Sequence, residues 1–240
     1  MEYISKALDD PHAKPCGKCA NCSRDYVTID QLPKELVIEA QQFIQGESLI
    51  INPRKRWPFD VAESFEIPES KRYKTGRSLC YLDDAGYGRP VYDVIANSAE
   101  MTDDIKKGII KVFSHWVELP RQNLVVTYIP STTRPQVVIK LAQFIANLLR
   151  VPVEPLVVKR STGRHQHDNK NGAQQYKHAL DHYSINSRID QKTNVLLVDD
   201  FYDSRWTMTV VAVKLCDAGA RAVYPFALAN LNGREIGKHA

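Results

Sequence analysis

The chain contains no apolar run long enough to cross a bilayer: stretches such as Asn194-Val-Leu-Leu-Val198 are strand-length, against roughly 18 residues for a membrane span. No membrane partner is expected. No Gly-x4-Gly-Lys-Ser/Thr phosphate loop occurs anywhere in the 240 residues, so the chain is not a helicase or other ATP-driven motor by itself. Internal repeats and low-complexity tracts are absent. The opening Met-Glu-Tyr-Ile-Ser-Lys-Ala-Leu-Asp-Asp has no basic n-region, apolar core or small-residue cleavage site, which argues against secretion and for a cytoplasmic protein. Excess charge is also scarce. A formal net charge of +4 says little about nucleic acid, because the placement of basic groups matters more than their sum.

With 43% hydrophobic and 25% charged side chains, the composition is that of an ordinary globular protein able to sustain a core without staples. Three parts are expected. Residues 1–30 form a cysteine-rich knuckle region, opened by a helix with Tyr3, Ile4, Ala7 and Leu8 on one face and halted at Asp10-Pro11, since proline disfavours helix in the residue before it. Residues 31–120 read as a basic linker with small helical elements: Leu36, Val37, Ala40, Phe43 and Ile44 at helical spacing, a proline-punctuated stretch, and a helix over 103–117. From residue 121 onward strand-like and helix-like runs alternate, with strands over 125–129, 153–158, 194–198 and 222–229 and helices over 136–149, 172–181 and 206–218. That alternation predicts α/β structure with an open parallel sheet, whose ligands sit beyond the carboxyl ends of the strands.

Only five cysteines are present, an odd number, and three fall in Cys16-Gly-Lys-Cys19-Ala-Asn-Cys22. This spacing suits metal ligation in a reducing compartment better than a disulfide framework. Zn2+ held by Cys16, Cys19 and Cys22 is the first reading, with His12, Cys80, Cys216 or a residue outside the chain as the fourth ligand. Three free thiols or an iron–sulfur cluster are the alternatives.

A second motif runs from Asn194 to Thr209: an apolar strand, then Asp199, Asp200, Asp203, Ser204, Arg205 and Thr207, then a helix. Hydroxyls and amides at a helix N-terminus can cradle a phosphoryl group, and strand-end carboxylates can hold ribose hydroxyls or a Mg2+-bound sugar. The bland alternative is that the carboxylates merely cap the helix. The run resembles the phosphoribosyl-diphosphate (PRPP) binding motif of type I phosphoribosyltransferases. Val125 to Arg160 resembles their first βαβ unit, with Ser131, Thr132, Thr133 and Arg134 in the position of the pyrophosphate loop. The resemblance implies the phosphoribosyltransferase fold over roughly residues 120–230, catalytic roles for Asp199 and Asp200, and PRPP or a nucleotide, with Mg2+, as ligand. One departure stands out: active members usually carry glycine at the position of Arg205, where backbone must approach phosphate closely.

The order of parts also resembles the C-terminal portion of bacterial RecQ-type DNA helicases that end in such a domain. Leu8-Asp-Asp-Pro11 leads into the knuckle, and Pro53-Arg-Lys-Arg-Trp-Pro58 follows. In that family the first zinc cysteine lies on a helix upstream, at a position falling before Met1. The resemblance implies a helicase or a helicase-containing chain as partner, and a role in DNA repair or defence against foreign DNA.

Arg54, Lys55, Arg56, Lys71, Arg72, Lys74 and Arg77 are interleaved with Trp57, Phe59 and Tyr73. Cations meet phosphates and rings stack on bases, so this segment is a candidate DNA-binding surface. Asp60, Glu63, Glu66 and Glu69 between the clusters make a solvated salt-bridged surface the alternative. His165 and His167 lie where the resembling transferases carry a flap, in a composition typical of polar surface loops, and His115 and Trp116 read as core or interface.

Overall fold

The computed structural model describes residues 2–23, 33–46, 48–59, 65–160 and 171–231. The chain divides into two compact units, Met1–Gln42 and Phe43–Ala240. In the first, helix α1 (Glu2–Ala7) precedes the cysteine segment and the short α2 (Ala20–Ser23). Helix α3 (Lys34–Ile44), whose last two residues fall in the second unit, carries no buried residue. Among the described residues no helix is long and apolar enough to cross a membrane.

The second unit is built on a mostly parallel sheet of five strands: β1 (Leu49–Ile51), β2 (Gly76–Tyr81), β3 (Leu124–Tyr128), β6 (Asn194–Tyr202) and β7 (Ala222–Asn230), in the spatial order β1-β2-β7-β6-β3. Only β1 runs antiparallel, on β2. Eight of the nine positions of β6 are buried, as expected of a central parallel strand covered on both faces. Helices α4 (Gly88–Asn97), α5 (Asp103–His115) and α6 (Pro135–Leu149) supply one core with Val126, Leu196, Val198, Phe226 and Leu228. Helix α8 (Trp206–Asp217), together with Tyr176 and Ala179 of α7 (Gly172–His182), supplies the other with Val195, Leu197 and Val223. The alternation of apolar side chains along β6 sends neighbours to opposite cores.

Local chemistry explains the ends of these elements. Thr102 caps α5 by accepting from the Ile105 N–H, ahead of Asp103 and Asp104 in the first turn, which suits the helix dipole. Pro135 starts α6, and Arg150 ends it in the left-handed region. Gly76 permits the close approach of β2 to β7: a Cβ there would stand 2.3 Å from the Pro225 carbonyl oxygen.

Two sequence-based boundaries differ from the structure. Residue 120 is not a domain edge, because β2 pairs with β7 in register from Arg77 opposite Phe226 to Tyr81 opposite Asn230, making the supposed linker part of the sheet. The 153–158 segment is not a strand of that sheet. Val153 makes one isolated parallel bridge to Val126, and β4 (Val157–Lys159) pairs antiparallel with β5 (Tyr183–Ile185) in a separate two-stranded sheet. Trp116 is core, 1% exposed, whereas His115 beside it is exposed. His165 and His167 lie outside the described residues.

Candidate functional site

Strands β3 and β6 pair side by side up to Tyr128 opposite Val198, so the loops leaving their carboxyl ends are neighbours. This brings Ser131–Arg134 together with Asp199 and Asp200 across 66 residues of chain. Arg134 Nε donates to Asp200 Oδ2 at 2.9 Å, with side chains 19% and 4% exposed. The guanidinium lies 4.9 Å from the centre of the Phe201 ring. The turn behind it is held by the Arg134 N–H donating to Ser131 Oγ at 3.1 Å, while Ser131 Oγ and Thr133 Oγ1 stand 3.5 Å apart.

Asp199 and Asp200 are both buried. They do not cap α8: Asp199 Oδ1 accepts from the Asp200 N–H and Asp200 Oδ1 from the Phe201 N–H, each at 3.0 Å, and both belong to β6, which extends four residues beyond the predicted Val198. Burial, with the charge of Asp200 beside it, raises the Asp199 carboxyl well above the ordinary carboxylate range. Sequence reasoning missed Lys159. Its Nζ donates to Thr132 Oγ1 at 3.5 Å, and burial lowers its ammonium while the charge of Asp199 opposes that shift. A lone lysine at the end of a short strand carries no motif that could have marked it.

The turn before α8 is fastened from far away. Arg205 occupies the left-handed region at φ 67°, ψ 6°, the conformation that glycine adopts without strain and other L-residues adopt at a cost. Its Nη1 donates to the Asn52 carbonyl at 2.8 Å, and its own carbonyl accepts from Thr209 Oγ1 at 2.8 Å. Arg54 donates through Nε and Nη2 to the Ser204 carbonyl at 2.8 and 2.6 Å, and its guanidinium lies 3.9 Å from the centre of the Trp206 ring. Trp57 and Tyr176 rings stand 5.1 Å apart, and Tyr176 and Trp206 5.8 Å, making a row of aromatics beside the turn. Ser204 and Thr207 are half-buried and Asp203 is exposed.

The other basic residues are dispersed. Lys55 is exposed, and Arg56 lies 5.2 Å from the Phe65 ring centre. Lys71 pairs with Asp217 at 2.6 Å, at the far end of α8 from Arg54, about 17 Å along the helix axis at 1.5 Å per residue. Arg72 donates to the Ile67 carbonyl at 2.8 Å, Lys74 gives its backbone N–H to the Val223 carbonyl, and Arg77 pairs with Glu118 at 3.3 Å.

The cysteine segment forms its own cluster. Cys16 Sγ lies 3.9 Å from Cys22 Sγ, Cys19 Sγ 3.5 Å from Cys22 Sγ, and all three lie within 4.8 Å of one another. Sulfurs bound to one tetrahedral Zn2+ at about 2.3 Å stand ~3.8 Å apart, so the cluster fits a metal ion. The Cys19 N–H donates to Cys16 Sγ at 3.3 Å, and backbone N–H groups of Lys18 and Cys19 lower the Cys16 thiol to about 7, favouring the thiolate that binds metal. Among the described residues no fourth ligand joins this cluster. Cys80 is committed elsewhere, donating to the Leu228 carbonyl inside the sheet, and burial pushes the Cys216 thiol up to about 11.

No protein-family model matches the chain, and no curated protein matches it. Among solved structures, a purine phosphoribosyltransferase from Pyrococcus horikoshii is similar at 12% identity over 53% of this chain and 81% of that one, with a TM-score of 0.33. An adenine phosphoribosyltransferase from Leishmania donovani is similar at 11% identity over 83% of this chain and 86% of that one, also with a TM-score of 0.33.

Proposed function

We propose that the chain is an accessory module with a phosphoribosyltransferase-like domain, which holds a phosphosugar or nucleotide beyond β3 and β6 without turning it over. The observation that carries this reading is the fastened turn. Turnover requires loops that open to admit substrate and release product, whereas here Arg54 grips the Ser204 carbonyl and Arg205 is tied to Asn52. Asp199, Asp200 and Arg134 supply ribose and anion contacts, and Ser204 and Thr207 supply hydroxyls for a phosphoryl group. The rival is an active PRPP-dependent transferase using Mg2+. Replacing Arg205 by glycine removes a left-handed L-residue, worth about 1–2 kcal/mol, and opens the turn. PRPP affinity measured by calorimetry is expected to rise about tenfold in this variant from a weak starting value. Strong PRPP binding and base-dependent pyrophosphate release by the unaltered protein would establish the transferase instead.

The cysteine cluster is proposed as a structural zinc site, with three ligands from this chain. Elemental analysis is expected to find about one zinc per chain. Cys19→Ser should abolish it while leaving the α/β unit's melting transition in place; metal-free fresh protein would remove the site.

The partner is proposed to be a RecQ-type helicase acting in DNA repair or defence against foreign DNA, on the order of motifs given above. The exposed apolar side chains of the first unit, among them Tyr3 at 82% and Leu8 at 75%, support docking to another protein and equally fit a purely structural docking tail. Co-purification with a helicase chain tests the partner. Ligand binding separates the module from the tail. If DNA is bound directly, Lys55 and Arg56 are the cations of the Pro53–Pro58 segment left for it, both exposed, while Arg54 is spent on Ser204. Replacing Lys55 and Arg56 by alanine should then reduce the salt slope of binding by about two, and salt-independent binding would exclude a phosphate surface.

A further inference from the structure

We propose that the strand-end site takes its sugar-phosphate ligand without a divalent cation, because Arg134 already occupies the cation's place. This rests on the reading of the site as a phosphosugar pocket and concerns what that pocket needs in order to bind.

A Mg2+ ion at such a site is held by one or two carboxylates together with ligand phosphates, in near-ideal octahedral geometry. Each carboxylate here already accepts hydrogen bonds, and Asp200 is paired with a cation. Asp200 Oδ2 accepts from Arg134 Nε and its Oδ1 from the Phe201 N–H, and Asp199 Oδ1 accepts from the Asp200 N–H. Lys159 stands beside them on Thr132. Asp200 thus already has its cation, and a divalent ion would have to approach a guanidinium held 2.9 Å from the oxygen it seeks. The residues do not fit Mg2+.

They fit an arginine-mediated site instead. A guanidinium offers five N–H donors, and Arg134 spends only Nε on Asp200. Among the described residues its Nη groups carry no hydrogen bond, while the side chain is fixed by Phe201 on one face and Asp200 on its edge. An arginine anchored in this way can present a planar pair of donors to a ligand oxyanion, joining carboxylate to ligand as a bridging metal would. Since the ion pair is formed within the protein, its geometry needs no ligand to assemble it.

The test is calorimetric titration with ribose 5-phosphate, first in chelator and then in excess Mg2+. Equal affinity in both is expected. Arg134→Gln should weaken binding in chelator about tenfold to a hundredfold, and Mg2+ should then recover part of the loss because Asp200 has been released. Arg134→Lys keeps a cation and should bind in chelator better than Arg134→Gln; it serves as the deciding variant if Arg134→Gln melts early. Binding by the unaltered protein only when Mg2+ is present overturns the inference and leaves the phosphosugar pocket standing. Unchanged binding by folded Arg134→Gln also overturns it. Absence of binding in either condition overturns the pocket itself, and the inference with it.

Discussion

Replacing Arg54 by alanine is expected to destabilise the α/β unit by roughly 2–3 kcal/mol, combining charge-assisted hydrogen bonds to one carbonyl with a cation–π contact and discounted because the side chain is only half-buried. For a unit of this size that lowers the melting temperature by about 5–10 °C. The loss is local in origin: the Ser204 carbonyl loses its donors and Trp206 loses the guanidinium over its face. Tryptophan emission should therefore shift as the indole gains water. Arg54→Lys should recover little, because an ammonium cannot reproduce the two-nitrogen grip on Ser204 or the planar stack on Trp206. A melting temperature equal to that of the unaltered protein would show that the strap from Asn52 to Trp57 does not hold the turn.

Asp199→Asn should make the protein more stable at neutral and alkaline pH, by an amount that grows with pH. Burial raises this carboxyl in the folded state, with the charge of Asp200 adding to it. The native protein therefore keeps a proton that the unfolded chain gives up near the ordinary value of about 4. The stability contributed by that proton is complete below this value and is lost as pH rises toward the raised folded value. Within that window each pH unit costs about 1.4 kcal/mol. Asparagine cannot ionise, and its carbonyl oxygen can still accept from the Asp200 N–H. Denaturant titrations at pH 4, 6 and 8 should show the two proteins diverging upward in pH. Parallel stability curves would mean that Asp199 ionises freely in the folded protein.

These two residues mark the limits of reading the chain linearly. Asp199 is legible as a strand-end carboxylate because an apolar run leads straight into it. Its protonation is not, since that depends on neighbouring strands and helices excluding water around β6. Arg54 was legible as a cation in a basic, aromatic segment, a pattern that nucleic-acid surfaces share. Its actual contact is with a carbonyl 150 residues away, and no local pattern encodes that distance. Arg205 is the intermediate case: its departure from glycine is visible in the motif, while its left-handed backbone and its tie to Asn52 are visible only in three dimensions.

What the sequence determined by itself was whatever depends on near neighbours. The period of apolar residues produces α6 and α8, the continuous apolar run produces β6, and two successive two-residue spacings bring three sulfurs together. Tertiary structure decided which elements share a sheet and which side chains meet. Strand β2, short and set among basic residues, joins the sheet because β7 offers it an edge, and 153–158 stays out of the main ladder apart from one bridge. The pairing of Arg134 with Asp200 exists because β3 and β6 are adjacent. Periodicity records only which face of its own element a residue occupies, whereas the partner across that face is chosen by strand order and burial, which belong to the folded chain as a whole.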